Sequence, residues 1–300
     1  MPPNARKLFH KPPAGAAGRG KIAEAVFRDH PEAFETVKAA HRFLERIVMP
    51  ASCRWAYCTN AKVGTTSILN SMFQIEFGVP LKATLNDPRN PNPDQISHKL
   101  DVANVFYRLD QFAGAYEALP NAFRFSAVRD PFQRAVSSFR YVCSSQAQGS
   151  QMFFRDRVRL NATKFDWDVD PGTARGFRKF LDYVEMEMKR TPRAGLNAHY
   201  RPQWMNVDVD RLKPHMLFRL EDLDDALERI AAALGATSAV SGAAPVRLNR
   251  ASAGDADNGK FDTAEVRARV RSIYDADYAL YEEATGRISD WPIHPAEAHA

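Results

Sequence analysis

The segment from Phe123 to Phe139 restricts the fold of this chain more than any other. An apolar run reaches Val128, Arg129-Asp130-Pro131 interrupts it, and Phe132, Ala135, Val136 and Phe139 then recur at helical spacing. Aspartate is a favoured N-cap residue and proline is welcome in the first helical turn, so Asp130-Pro131 predicts a strand that turns directly into a helix. Arg129 is thereby delivered at the mouth of a strand, beside a helix N-terminus. Unpaired N–H groups and the helix dipole favour an anion there. Arg134 and Ser137, three apart, share another face of the same helix.

A second stretch, Arg54 to Ser67, repeats the plan. Trp55-Ala56-Tyr57-Cys58 reads as a strand, Thr59 to Gly64 as a short loop, and Thr65-Thr66-Ser67 as a hydroxyl-rich helix start. Ile68, Leu69, Met72 and Phe73 are the apolar stripe of that helix. Gly64 lets backbone approach a ligand closely, and Lys62 supplies positive charge. Two strand–loop–helix anion sites in one chain imply a ligand with two phosphate-like groups.

The rest of the chain supports one large α/β unit. Hydrophobic residues make up 45% of 300, enough for a substantial core. Residues 1–20 read as a mobile basic tail and 21–300 as the domain. Lys21 to Val48 predicts a helix broken at His30-Pro31. The prolines and asparagines of Asn86 to Asp94 predict a rim or lid loop. Gln95 to Leu119 reads as mostly helical, and Ser144 to Thr173 as an insertion over the site. A helix is expected over Ala174 to Arg190, and a strand over His215 to Leu220. Asp222 is expected to cap a helix that ends at Gly235. Thr237 to Pro245 reads as a linker, and Thr263 to Thr285 as one final helix. Strands alternating with helices imply a parallel sheet with right-handed crossovers.

Charge and cysteine content narrow the partners. The 41 basic residues against 36 acidic give +5 and a pI near 9.1, which suits an anionic small molecule without demanding nucleic acid. Cys53, Cys58 and Cys143 fit neither a disulfide framework nor a metal spacing, which predicts a reducing, cytoplasmic setting. No apolar run is long enough to span a membrane, and the histidines show no metal-ligand spacing.

The two motifs, K-V-G-T-T-S at 62–67 and F-S-A-V-R-D-P-F-Q-R-A-V-S-S-F at 125–139, resemble the donor-binding motifs of the PAPS-dependent sulfotransferases. The resemblance is to the carbohydrate branch that includes chondroitin 4-O and HNK-1 type enzymes. R-D-P-x-x-R-x-x-S is its most specific piece. His199 to Gln203, Leu217 to Leu223 and Tyr274 to Tyr278 follow in the expected order, so the likeness runs from about Arg54 to Tyr281. It implies a P-loop-NTPase-like central parallel sheet flanked by helices, in a single domain with loop insertions. It also implies that Lys62, Gly64, Thr65, Thr66 and Ser67 hold the 5′-phosphosulfate of PAPS, and that Arg129 and Ser137 hold its 3′-phosphate. Animal members of the branch are mostly membrane-anchored Golgi proteins, so this chain reads as a soluble, bacterial-type version.

The chemistry assigned by this reading is transfer of a sulfuryl group to an acceptor hydroxyl, of a carbohydrate by resemblance. Lys62 is expected to neutralise the bridging oxygen as the nucleotide leaves. His98 and His199 are the candidate bases, His98 first, and Arg201 and Gln203 are expected to line the acceptor cleft. Arg134 is expected to pair with a buried carboxylate such as Glu221. Each assignment has a plainer counterpart: a lysine beside a glycine turn, hydroxyls that only cap a helix, an Arg129–Asp130 ion pair, a small Ser137 at a packing contact. Two other functions compete. A P-loop kinase or NTPase needs G-x-x-x-x-G-K-[ST], which is missing, and a non-catalytic polyanion-binding protein leaves the ordered pair of motifs unexplained.

Overall fold

The computed structural model describes residues 16–81, 100, 105–147, 153–191, 195–236 and 258–291. Its helices are α1 (Ala16–Asp29), α2 (Val37–Leu44), α3 (Thr65–Phe77), α4 (Ala115–Ala118), α5 (Pro131–Ala147), α6 (Phe154–Leu160) and α7 (Ala174–Arg190), then α8 (Gln203–Val207), α9 (Val209–Leu212), α10 (Leu223–Ala233), α11 (Ala264–Ile273) and α12 (Asp275–Glu283). The strands are β1 (Ile47–Pro50), β2 (Trp55–Cys58), β3 (Phe106–Arg108), β4 (Phe123–Val128) and β5 (Met216–Arg219).

These strands form one sheet in the order β3-β1-β2-β4-β5. β2, β4 and β5 are parallel, as expected, but β1 runs antiparallel to both β2 and β3. The sheet is therefore mixed, which corrects the wholly parallel expectation. The difference arises at Ile47–Pro50, which the sequence reading absorbs into a helix. A four-residue apolar run fits both periodicities. Here it pairs with β2 across a tight turn, in which the Cys53 N–H donates to the Pro50 carbonyl (3.0 Å).

Alternation along the strands puts apolar side chains on both faces, because both faces are covered. Trp55, Tyr57, Phe123 and Phe125 face the core shared with α3 and α10, whereas Ala56, Cys58 and Val128 face the one shared with α1 and α2. Full burial of Phe123 or Phe125 contributes about 1.5–3 kcal/mol each. A third core joins α5, α7 and α11 through Phe139, Phe177, Phe180 and Val270.

Other expectations change in detail. α1 begins at Ala16, inside the predicted tail, and the remainder of that tail lies outside the described residues. The break near His30-Pro31 is present, between α1 and α2. Gln95 to Leu119 is not mainly helical where it is described: β3 and a short 3-10 turn precede α4. The Asn86–Asp94 loop and the 237–245 linker lie outside the described residues. The expected insertion at 144–173 includes the end of α5, the helix α6 and a run of turns packed on α7, held by Arg159 to the buried Glu187 (2.8 Å) and by Lys179 to the buried Asp170 (2.8 Å). Asp222 holds the N-cap position of α10 without a capping bond from its side chain. The final helix divides at Tyr274 into α11 and α12.

Candidate active site

The first loop leaves β2 at Cys58 and enters α3 through two left-handed residues, Lys62 (φ 68°) and Gly64 (φ 74°). Glycine is favoured at the second by its positive φ, and a Cβ there would also lie 2.6 Å from Leu220 Cδ1, which would have to turn aside. Thr65 donates its hydroxyl back to the Asn60 carbonyl (2.9 Å) and closes the loop. Gly64 offers no side-chain cap and the first turn of α3 carries no acid, so the field at that helix end stays positive. Thr66 and Ser67 are buried in the same turn.

The second loop leaves β4 at Val128. The Asp130 carboxylate accepts from Gln133 N (2.8 Å), the N-cap bond that the sequence predicts for α5. The Arg129 guanidinium reaches the Lys62 carbonyl (3.5 Å) and so bridges the two loops. Ser137 stands two turns into α5, partly exposed. Arg134 is fully inside, and its partners are carbonyls, not Glu221: it donates to Ala61 O (3.0 Å) and Ala198 O (3.0 Å). Glu221 is exposed and accepts from Asp130 N (3.4 Å). The carboxylate whose charge acts on Arg134 is the buried Asp277.

A third segment, Asn197 to Asn206, fastens both loops. Gln203 is buried, accepts from Arg129 N (2.9 Å) and from Asn60 Nδ2 (3.2 Å), and donates to Arg129 O (2.8 Å). Arg201 is buried against Asn206 Oδ1 (2.9 and 2.7 Å), and Asn206 donates to Asn60 Oδ1 (2.9 Å). The polar atoms of Arg201 and Gln203, the residues expected to line an acceptor cleft, are engaged with Asn206, Asn60 and Arg129 and so brace the two loops. Buried polar groups need such partners, and two loops facing a ligand have few left over. Asp277 accepts from Gln203 N (2.8 Å) and Trp204 N (3.0 Å), and Tyr274 OH donates to Tyr200 O (2.7 Å). The Tyr274–Tyr278 motif thus holds the third segment in place.

Cations crowd the mouth of the site. Burial, Arg129 and Arg134 together pull the Lys62 ammonium down to a pKa of about 8. Its Nζ lies 4.0 Å above the centre of the Tyr141 ring, a cation–π contact. The His199 imidazole packs against the same ring (5.4 Å between centroids) and edge-on against Phe153 (4.9 Å). Lys62 and His199 therefore meet at one tyrosine. His98 lies outside the described residues. Tyr141 escaped the sequence reading, although it falls seven residues after Arg134, on the same face of α5. Asn60 and Asn206 carry no local signal at all. Among the described residues no group of side chains could hold a metal ion, and no helix is long and apolar enough to cross a membrane.

Two helix N-termini after adjacent parallel strands, with the cations Lys62, Arg129 and Arg134 between them, make an α/β arrangement suited to an anionic group. The particular family follows from comparison. Residues 45–282 match the Sulfotransferase family, and the chain belongs to it. It is thus a transferase that moves sulfuryl groups. No curated protein and no solved structure matched the chain.

Proposed function

We propose that this protein transfers the sulfuryl group of PAPS to an acceptor hydroxyl, that of a carbohydrate, and releases adenosine 3′,5′-bisphosphate. One observation carries the reading: Arg129 of the second loop reaches the Lys62 carbonyl of the first, so two anion sites share one wall. A donor with a phosphosulfate at one end and a phosphate at the other suits that pair. Burial, and after it the repulsion of Arg129 and Arg134, depress Lys62, and a bound polyanion offsets both by pairing with the ammonium.

The donor supplies an activated sulfur whose bond to the bridging oxygen breaks as the acceptor oxygen bonds to sulfur. Lys62 neutralises charge on the departing phosphate. Gly64, Thr65, Thr66 and Ser67 offer first-turn donors to the phosphosulfate, and Arg129 and Ser137 take the 3′-phosphate. The acceptor proton passes to His199 Nε2. His199 displaces His98 as the first candidate base because it shares the Tyr141 ring with Lys62.

A titration tests the donor. Adenosine 3′,5′-bisphosphate raises the melting temperature by the equivalent of about 2.7 kcal/mol at a hundredfold excess over Kd, and ATP with Mg²⁺ does not. No shift at saturation sinks the proposal. A sulfation assay over sugars, lipids and phenols then tests the acceptor, and transfer to phenols alone removes the carbohydrate. His199→Ala loses about 10²-fold or more in kcat while His98→Ala does not; the reverse outcome reinstates His98.

A further inference from the structure

We propose that Asn197 sets the tautomer of His199 and presents its unprotonated Nε2 to the reaction, and that Asp156 holds the Asn197 amide and lends its charge to the pair. This rests on the reading of His199 as the base. The Asn197 side chain meets three groups whose hydrogen-bonding roles fix its orientation. The backbone N–H of His199, which can only donate, lies 3.1 Å from the atom assigned as Oδ1. Asp156 Oδ2, a carboxylate oxygen that accepts, lies 3.1 Å from the atom assigned as Nδ2. Both ends demand the same orientation of the amide, so the assignment does not depend on the ring.

The ring follows from the amide. Asn197 Oδ1 is 2.9 Å from His199 Nδ1, and an amide oxygen can only accept, so Nδ1 carries the hydrogen. Nε2 is left with the lone pair that a general base needs. The acceptor proton enters at Nε2, Nδ1 keeps its own, and the imidazolium remains bonded to Asn197.

Asp156 is itself held in place. Its Oδ1 accepts from Tyr183 OH (2.8 Å) and Tyr200 OH (2.7 Å), whose hydroxyls lie 3.0 Å apart. Burial pushes both phenols up in pKa, so both remain donors. They fix Oδ1 and leave Oδ2 to Asn197. Asp156 comes from α6, Tyr183 from α7 and Tyr200 from the segment before α8. The 144–173 stretch thus reaches the site through the Asp156 carboxylate as well as through Phe153, which packs on the His199 ring. Asp156 is a positioning residue, since it reaches the site only through Asn197.

The test is nitrogen-15 NMR of the histidine rings, which reads tautomer and titration without turnover. In the unmodified protein, His199 shows the Nδ1–H form above its titration. Asn197→Leu removes the acceptor and moves the ring toward the Nε2–H form, with a parallel loss of kcat. Asp156→Asn keeps the shape, and its amide oxygen can still accept from Asn197. It therefore retains the Nδ1–H form but lowers the His199 titration midpoint by about half a unit, the effect of one charge two side chains away at high effective dielectric. The acidic limb of the kcat profile moves with it. An unchanged midpoint in Asp156→Asn overturns the proposal, as does an Nε2–H ring in the unmodified protein. A His199→Ala enzyme with full kcat removes the base but leaves the NMR result standing, so the two failures are distinguishable.

Discussion

Replacing Gln203 by leucine isolates the link between the loops after β2 and β4. The substitution keeps the volume and removes both polar atoms. Asn60 Nδ2 retains the Ala127 carbonyl (3.1 Å), but Arg129 loses the partners of both its N–H and its C=O. An unsatisfied backbone group costs about 1–3 kcal/mol when buried. Arg129 is only half-buried, so water repairs part of the loss, and a total of about 2–4 kcal/mol is expected. At about 2–4 °C per kcal/mol for large domains, the melting temperature falls by about 4–16 °C. The site should respond selectively, because the loop set free is the one assigned to the 3′-phosphate. Calorimetric titration should show adenosine 3′,5′-bisphosphate losing about tenfold more affinity than adenosine 5′-monophosphate, or about 1.4 kcal/mol. Gln203→Glu sets a carboxylate oxygen against the Arg129 carbonyl and should destabilise at least as much. An unchanged melting temperature in either variant, or equal losses for the two nucleotides, would refute the argument that Gln203 couples the loops.

Four further outcomes are expected. Lys62→Ala lowers kcat by about 10²–10³-fold, the cost of one preorganised charge-stabilising donor, and near-normal turnover in a donor-saturated assay removes it from the chemistry. Lys62 loses its proton in the free protein above about pH 8, whereas a bound polyanion restores it, so donor affinity declines above that pH and binding near pH 8.5 takes up a proton. Calorimetry in buffers of different ionisation enthalpy reads the uptake, and none at that pH contradicts the assignment. Gly64→Ala forces a left-handed alanine, costing about 1–2 kcal/mol, while the half-buried Leu220 side chain turns aside at little further cost; urea unfolding checks the value. Burial and Arg124 hold His215 down to about 4, while the unfolded chain protonates near 6.5, so stability falls as pH drops from about 6.5 to about 4 and the slope flattens in His215→Gln.

Local signals in the sequence correspond well with the structure. Asp130-Pro131 starts α5, and the amphipathic period of Ala174–Arg190 coincides with α7. Lys62, Gly64 and Arg129 come together because each stands in a strand-to-helix loop, and the two strands, β2 and β4, are neighbours. Long-range polar pairing was not legible. Polar residues at a helix start are usually wet, and nothing nearby announces that Asn206 arrives against Arg201, or Asn60 and Arg129 against Gln203. Arg134 read as half of an ion pair because a buried guanidinium suggests a carboxylate, yet two loop carbonyls received it. β1 failed for the opposite reason, since four apolar residues are too short for periodicity to choose between helix and strand.

The antiparallel turn between β1 and β2 bears on the order of assembly. That hairpin closes over a few residues, so its entropy cost is small and it can form early. The bonds that make the site close far longer loops: Ser126 to Cys58 spans 68 residues, Arg134 to Ala198 spans 64, and Asn206 to Asn60 spans 146. The ligand-binding geometry is therefore a late product of folding, completed only when the parallel strands have docked and the third segment has threaded its amides between them. Partial unfolding that frees the third segment dismantles both loops while the hairpin persists. Hydrogen exchange on the free protein should find the amides of Arg129 and Gln203 opening together, before those of Val48 and Tyr57, and bound nucleotide should slow the first pair most.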